Sequence, residues 1–274
     1  MELFDAVRGF ALNQAGIAIP ATKKTLVRSR VARRVRALGL PDARAYLQYL
    51  REERDREELI RLLNALTTNY TSFFRDPEHF EDLAARLRRA HMAGQRRFRL
   101  WSAACSTGEE PFTMAVAALE SIGASGHDLR ILATDISTDA LARAKVGRYA
   151  EEVVAKVPAK LRERYFRRHA DGTFEVRDFV RRLIRFERMN LARWPYPMTG
   201  PFDAIFCRNV LMYLAPDVRQ AVVRESERLL RPGGVFYTSP SESIIGLSHG
   251  LASIRASIHE RRAPTRDGAQ GGRA

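Results

Sequence analysis

Cysteine is scarce. Cys105 and Cys207 are the two in 274 residues; each lies in or beside an apolar run, with neither metal-ligand nor redox spacing. A disulfide framework has no use at this length, so both are expected to be reduced, buried thiols. Long apolar runs are missing too. No window approaches the roughly 18 uninterrupted apolar residues of a membrane span, and residues 1–20 lack a basic segment leading into an apolar one. The chain is therefore expected to be cytoplasmic and not membrane-embedded. Acid is in the minority: 32 Asp and Glu face 46 Lys and Arg, a formal charge of +14. Such a field draws in polyanions, among them nucleic acid, acidic protein surfaces and anionic lipid, without choosing between them. Arginine is abundant in segments with no other sign of binding, so part of the excess is equally readable as solvated surface.

What is present divides by pattern. Residues 1–75 read as a helical domain with no strand-like run, in which Val27, Val31, Val35 and Leu38 form an apolar stripe ended by Gly39-Leu-Pro41. Further helices are expected over 42–50 and 54–66. The helix of the stripe carries Lys23, Lys24, Arg28, Arg30, Arg33, Arg34 and Arg36 on its other faces. A linking helix is expected over 76–92. Residues 93–263 then alternate strand and helix: strands at 98–102, 129–135, 184–189, 202–207 and 235–238, and helices at 111–122, 138–145 and 217–230. Alternation of this kind predicts a parallel sheet with helical crossovers. Residues 147–185 break the rhythm with a helical piece, the turn-like Asp171-Gly172 and β-prone stretches at 173–176 and 179–184, which predicts a small antiparallel insertion. The Gly-, Ala- and Arg-rich tail, 264–274, reads as disordered.

The stretch FRLWSAACSTGEEPF at 98–112 is the most informative. A short apolar run breaks into small residues at a helix start, and Asp135 closes the next apolar run. Small residues at 103–108 let backbone approach a ligand, and an acid at that place can accept hydrogen bonds from two ribose hydroxyls. Because G-x-G-x-x-G is absent, this is not a phosphate cradle. Glu109, Glu110 and Asp135 stand where a dinucleotide would put its pyrophosphate, which suits a cationic adenosyl ligand better, and S-adenosylmethionine carries a sulfonium.

Five segments taken together resemble the CheR family of chemotaxis receptor methyltransferases: TTNYTSFFRD at 67–76, SAACSTGEEP at 102–111, ILATD at 131–135, MNL at 189–191 and FDAIFCRNVLMYL at 202–214. The likeness runs from about residue 5 to 262, and its T-T-N-x-T-x-F-F-R and F-C-R-N-V-x-x-Y patterns are specific. It implies an α/β fold: a doubly wound, Rossmann-like SAM-dependent methyltransferase domain with a small β-subdomain insertion, preceded by a small all-α N-terminal domain. It places Asn69, Thr71, Arg75, Glu109 and Asp135 at the cofactor, Asn190 and Leu191 near the adenine, and Arg208 and Asn209 at the strand end facing it. Tyr213 falls near the transferred methyl, and Arg75 and Tyr213 are the catalytic candidates. Arg30, Arg33 and Arg36, three apart on one helix face, match the family's receptor-facing arginines. The implied reaction is methylation of glutamate side chains on chemoreceptors, with S-adenosylhomocysteine as second product and no metal. The implied partners are acidic, glutamate-containing receptor helices, with no nucleic acid, and the enzyme is expected to be a monomer. The β-subdomain loop at 169–178 is short and holds one glycine, which argues against capture of a receptor C-terminal tether.

Taken singly, each residue has a plainer reading: Asp135, Asn69 and Thr71 as helix caps, Phe73 and Phe74 as core, Arg75 as a partner for Asp76 or Glu78, and Tyr213 as a core aromatic. Joint occurrence at family spacing is what favours the site. A nucleic-acid methyltransferase would explain the charge, but the Asn/Asp-Pro-Pro-aromatic tetrad of amino methylation is absent, Cys207-Arg-Asn-Val210 standing in its place, and there is no Pro-Cys pair for cytosine attack. A non-catalytic adenosyl-binding domain would not need Arg75, Arg208, Asn209 and Tyr213. No Ser-His-Asp set or His/Cys cluster is visible, and attack by a carboxylate requires none.

Overall fold

The structure, a computed structural model, describes residues 3–52, 57–66 and 71–262. Asn69, expected at the cofactor, and the 264–274 tail lie outside the described residues.

Four helices, α1 (Leu3–Ala15), α2 (Lys24–Ala37), α3 (Ala43–Glu52) and α4 (Glu57–Leu66), come first. Phe4, Val7, Ala11 and Ala15 fall three or four apart and so share one buried face of α1, packed with Val27 and Val31 of α2, Tyr46 and Leu50 of α3, and Leu62 of α4. Val35 and Leu38 complete the expected stripe from the edge of this core, and Gly39, at φ +66°, ends it. Among the described residues of this domain one acid is buried. Glu58 takes a two-pronged contact from Arg34, at 2.8 and 2.6 Å, and the Tyr46 hydroxyl at 2.8 Å. The Glu58 carboxylate holds the Arg34 guanidinium above its ordinary range, and burial pushes the Tyr46 phenol up.

Helix α5 (Pro77–Met92) leads into the alternating domain, which runs β1 (Arg97–Ala103), α6 (Glu109–Ile122), β2 (Asp128–Asp135) and α7 (Thr138–Val146). An insertion follows: β3 (Arg148–Tyr149), α8 (Glu151–Val154), α9 (Ala159–Tyr165), β4 (Phe166–Arg168), β5 (Phe174–Val176) and α10 (Asp178–Arg181). The main sheet resumes with β6 (Ile184–Arg188), β7 (Phe202–Cys207), α11 (Pro216–Leu229), β8 (Leu230–Tyr237), β9 (Leu251–Arg255) and β10 (Ile258–Arg261). Its order is β6-β2-β1-β7-β8-β10-β9, with the first five strands parallel and β10 antiparallel to both of its neighbours, β8 and β9.

Both sheet faces are covered, so the parallel strands are apolar at successive positions. On β1, Phe98 and Leu100 enter the core with α5 and α6, while Trp101 and Ala103 enter the opposite one with α11. Ala204 and Phe206 on β7, and Val235 and Tyr237 on β8, join the first core; Ile205, Cys207 and Phe236 join the second.

One local expectation is corrected. The stretch 179–184 is not a strand of the insertion: Asp178–Arg181 turns into α10, burying Val180, and the three-stranded sheet β3-β5-β4 is completed by Arg148–Tyr149. Residues 231–234 form a bulge within β8, where pairing to β7 jumps from Phe202–Leu230 to Ala204–Val235. The β9–β10 hairpin had no strong signal, because β9 is largely exposed at the sheet edge and alternates weakly.

Candidate active site

Strand order reverses at β1: the chain builds outward through β2 to β6, then returns to β7 on the other side. The crevice beyond the carboxyl ends of such strands is where open α/β sheets take ligands. A cavity of about 320 Å³ lies there. Its lining follows the strand ends in turn: Ala104, Cys105 and Ser106 after β1, Asp135 and Ile136 at β2, Met189, Asn190 and Leu191 after β6, and Arg208, Asn209 and Val210 after β7.

The loop after β1 is tightly specified. Ala104 and Ser106 have φ of +68° and +50°, unusual for residues with a side chain. The Ser106 N–H donates to Asp135 Oδ2 at 2.8 Å, and the Ser137 N–H donates to Oδ1 at 2.8 Å. Ser137, not Asp135, caps α7, accepting from the Ala140 N–H. Each Asp135 oxygen therefore keeps acceptor capacity for a ligand. Burial pushes the Asp135 carboxyl above its ordinary range, and the backbone N–H groups of Ser137, Ser106 and Ile136 draw it partly back. Gly108, at φ +99°, packs where a Cβ would meet the Ala144 Cβ at 2.9 Å, and the Tyr149 hydroxyl donates to Thr107 O at 2.7 Å.

The acid on the wall is Glu110. Ser102 Oγ donates to its Oε1 at 2.7 Å and Arg208 Nη1 to its Oε2 at 3.1 Å. Glu109, the position carried over from the family pattern, is not among the lining residues; its Oε2 takes the Thr107 hydroxyl at 2.7 Å. The two glutamates are adjacent on α6, so about 100° of helix rotation separates them and one of them faces the crevice. Burial raises the Glu110 carboxyl, and Arg208 opposes the shift.

Arg208 sits between two carboxylates with its side chain 2% exposed. Its Nη2 donates to Asp76 Oδ2 at 2.5 Å and to Arg75 O at 2.6 Å, and its guanidinium lies 5.5 Å from the Phe80 ring centroid. The segment carrying Arg75 is thereby pinned to the β7 end. Phe74 and Asp76 on either side of Arg75 both have positive φ, so the residues flanking it are held in sparsely populated conformations. Thr71, Ser72 and Arg75 line the cavity. Phe73 is core, edge-on to Tyr149 and Phe166.

Asn190 lines the cavity, but its amide is engaged: Nδ2 donates to Gln14 O at 2.6 Å and Oδ1 accepts from the Ala192 N–H at 2.9 Å. It ties α1 to the sheet. Tyr213 lines the cavity at 40% exposure, which removes the core-aromatic reading. Asn209 adopts φ +58°, and its N–H donates to Glu242 Oε2 at 2.7 Å.

Sequence reasoning missed the opposite wall. Ala15, Ile17, Ala18, Ile19, Pro20, Lys23, Leu26, Val27 and Leu66 of the helical domain close the cavity. They arrive by backbone pairing: Ala18 N donates to Tyr213 O and Ala215 N to Gly16 O, both at 2.8 Å, with an antiparallel bridge between Ile17 and Leu214. Gly16, at φ +64°, permits this, since a Cβ there would stand 2.7 Å from Val218 Cγ2 and 2.9 Å from the Ala192 Cβ. No motif marks these residues; Gly16 beside a helix end was the available signal.

Arg30 is half-buried on α2, and Arg33 and Arg36 are exposed. Arg34 turns inward to Glu58. The helix starts at the cavity with Leu26 and Val27 and carries its arginines away from it, Arg36 lying about 15 Å beyond Leu26. Among the described residues no His/Cys/Asp/Glu group with metal-holding geometry is found, and no helix is long and apolar enough to cross a membrane.

Comparison with known proteins agrees on both parts of the chain. Residues 2–67 match the family model described as CheR methyltransferase, all-alpha domain, and residues 69–258 match CheR methyltransferase, SAM binding domain. Chemotaxis protein methyltransferase 2 of Pseudomonas aeruginosa is 36% identical over 94% of this chain and 92% of its own length. The chemotaxis protein methyltransferases of Salmonella typhimurium (37%, covering 85% and 81%) and Escherichia coli (36%, covering 88% and 84%) are similar along most of their lengths.

Proposed function

The chain belongs to the CheR methyltransferase family, and from that premise we propose that it esterifies glutamate side chains on chemoreceptor helices with the methyl group of S-adenosylmethionine. The observation that carries the reading is the strand-end cavity, lined by the buried carboxylate of Asp135 and the half-buried one of Glu110, whose volume suits a ligand of that size.

The wall fits the cofactor. Ser106 Oγ and Arg208 Nε are buried polar atoms with no hydrogen-bond partner among the described residues, and such atoms call for a ligand or water. Asp135 would accept the ribose hydroxyls, and Ile136, Met189 and Leu191 would flank the base. Asn190 acts through its backbone and through its hold on α1, because its amide is already engaged. When bound, S-adenosylmethionine supplies a sulfonium methyl, which a glutamate oxygen takes as the C–S bond breaks, leaving S-adenosylhomocysteine.

The protein's own contribution is alignment and exclusion of water. A glutamate with pKa near about 4.3 is ionised roughly 500 to 1 at pH 7, so no general base is needed. Fixed geometry between two reactants is worth up to about 10⁸ M in effective concentration. Arg75, its backbone pinned by Arg208, orients the incoming carboxylate, for which a guanidinium offers a two-pronged contact that lysine lacks. Tyr213, partly exposed at the cavity, directs the approach. The arginines of α2 steer an acidic helix toward the mouth.

The test is transfer of labelled methyl from S-adenosylmethionine to membranes bearing chemoreceptors. We expect label on receptor glutamates that mild base releases as methanol. Label on nucleic acid, or label on receptor that survives base as an amine or ether would, contradicts the proposal.

A further inference from the structure

Glu242 lies in the loop after β8, outside the cavity lining and 5% exposed. Its carboxylate gathers three backbone donors from two loops. Oε2 accepts from the Asn209 N–H at 2.7 Å and from the Ser239 N–H at 3.0 Å, and Oε1 accepts from the Met212 N–H at 3.3 Å. The Glu242 backbone is itself fixed: its N–H donates to Ser239 O at 2.9 Å, and its carbonyl accepts from the Thr238 hydroxyl at 3.2 Å. Among the described residues no cation faces this carboxylate.

A buried carboxylate without a cation is costly, and backbone N–H groups are what make it tolerable. The fold could have capped those N–H groups with a neutral acceptor. The carboxylate instead reaches across to the 209–213 segment, which includes the cavity residues Asn209, Met212 and Tyr213, and pins it at both ends of one turn. Asn209 is held at φ +58°, a left-handed conformation that asparagine tolerates better than most residues with a side chain, and the bond to Glu242 fixes its N–H there.

We propose that Glu242 is a positioning residue for methyl transfer, setting the backbone that presents Asn209 and Tyr213 to the cofactor cavity. The inference rests on the function proposed above, in that the cavity takes the adenosyl cofactor. Substitution by glutamine keeps the shape, but turns one acceptor into a donor facing an N–H.

The test measures S-adenosylhomocysteine binding by calorimetry, and receptor methylation, on the full chain and on Glu242→Gln. Val223→Ala serves as a control: it opens the core beneath α11 away from the cavity lining and should cost comparable thermal stability. We expect Glu242→Gln to raise Kd at least about fivefold and to lower kcat at least about tenfold, with KM for receptor within about twofold of the parent. Val223→Ala should bind and turn over as the parent does. If Glu242→Gln does not fold, Glu242→Asp keeps the charge, shortens the reach and should raise Kd at least about threefold. Parental binding by the Glu242 variant, or equal weakening in Val223→Ala, overturns the inference. A parent chain that binds the homocysteine product but esterifies no receptor counts against the proposed function alone, and the binding comparison still decides the role of Glu242.

Discussion

The two walls of the cavity differ in kind. The strand-end wall is polar and tightly hydrogen-bonded: Asp135 and Arg208 are buried, Glu110 is half-buried, and each has specific hydrogen-bond partners. The helical-domain wall is mostly apolar, from Ala15 to Val27, and is set in place by backbone pairing of residues 16–18 with 213–215. The contrast teaches that recognition of the ligand and closure over it come from different physics. The first wall loses function when a charged group is changed. The second loses it when backbone approach is blocked.

Four variants, the last a double substitution, sharpen or break that contrast. The largest effect is expected at Asp135. Asp135→Asn removes a buried acceptor that also ties down the Ser106 loop, and should weaken S-adenosylhomocysteine binding by about 10² or more, read by calorimetry. Its pH behaviour has a defined sign. The ionised form accepts from the ligand, and burial raises the pKa, so affinity in the parent should be full above the raised value and fall as pH drops through it, starting above the ordinary carboxylate range. Asp135→Asn should flatten that profile; a profile unchanged by the substitution would assign the titration elsewhere, with Glu110, also raised by burial, next in line.

Arg75→Lys comes second. It should cut turnover about a hundredfold with circular dichroism and thermal midpoint unchanged, because the charge remains while the planar fork is lost. A fully active Arg75→Lys enzyme would remove the orienting role. Third is Gly16→Val on the apolar wall. A side chain there must displace Val218 or Ala192 and adopt a positive φ, so the bridge to Leu214 should open. We expect about tenfold weaker product binding with the sheet domain still folded; unchanged binding would mean the helical wall contributes no closure. The smallest effect is expected from Arg33→Ala with Arg36→Ala, both exposed: a severalfold lower kcat/KM at low salt that converges on the parent as salt rises. A deficit independent of salt would point to a contact rather than to steering.

The same contrast marks how far the sequence was legible. The order of strands and helices, and the polar residues after each strand, follow from apolar runs that end in small or charged residues, as at Ala103 to Ser106 and at Asp135. Choosing between Glu109 and Glu110 needed the rotation of α6, which a gapless pair of acids does not reveal. Asn190 lines the cavity, but the engagement of its amide by the carbonyl of Gln14, distant in sequence and placed by tertiary packing, could not be read from the M-N-L segment. Glu242 and the 16–20 segment carry no periodic signal, since their roles depend on backbone groups that every residue has. The edge hairpin β9–β10 escaped for a related reason: with one face half-exposed, its alternation is weak.

The central claim is that alignment replaces proton transfer, and the pH dependence of kcat at saturating cofactor and receptor tests it most directly. A glutamate already ionised, with no base to titrate, predicts a kcat level between about pH 6 and pH 8.5. A logarithmic rise of kcat with unit slope across that range, of the kind a general base produces, would contradict the account.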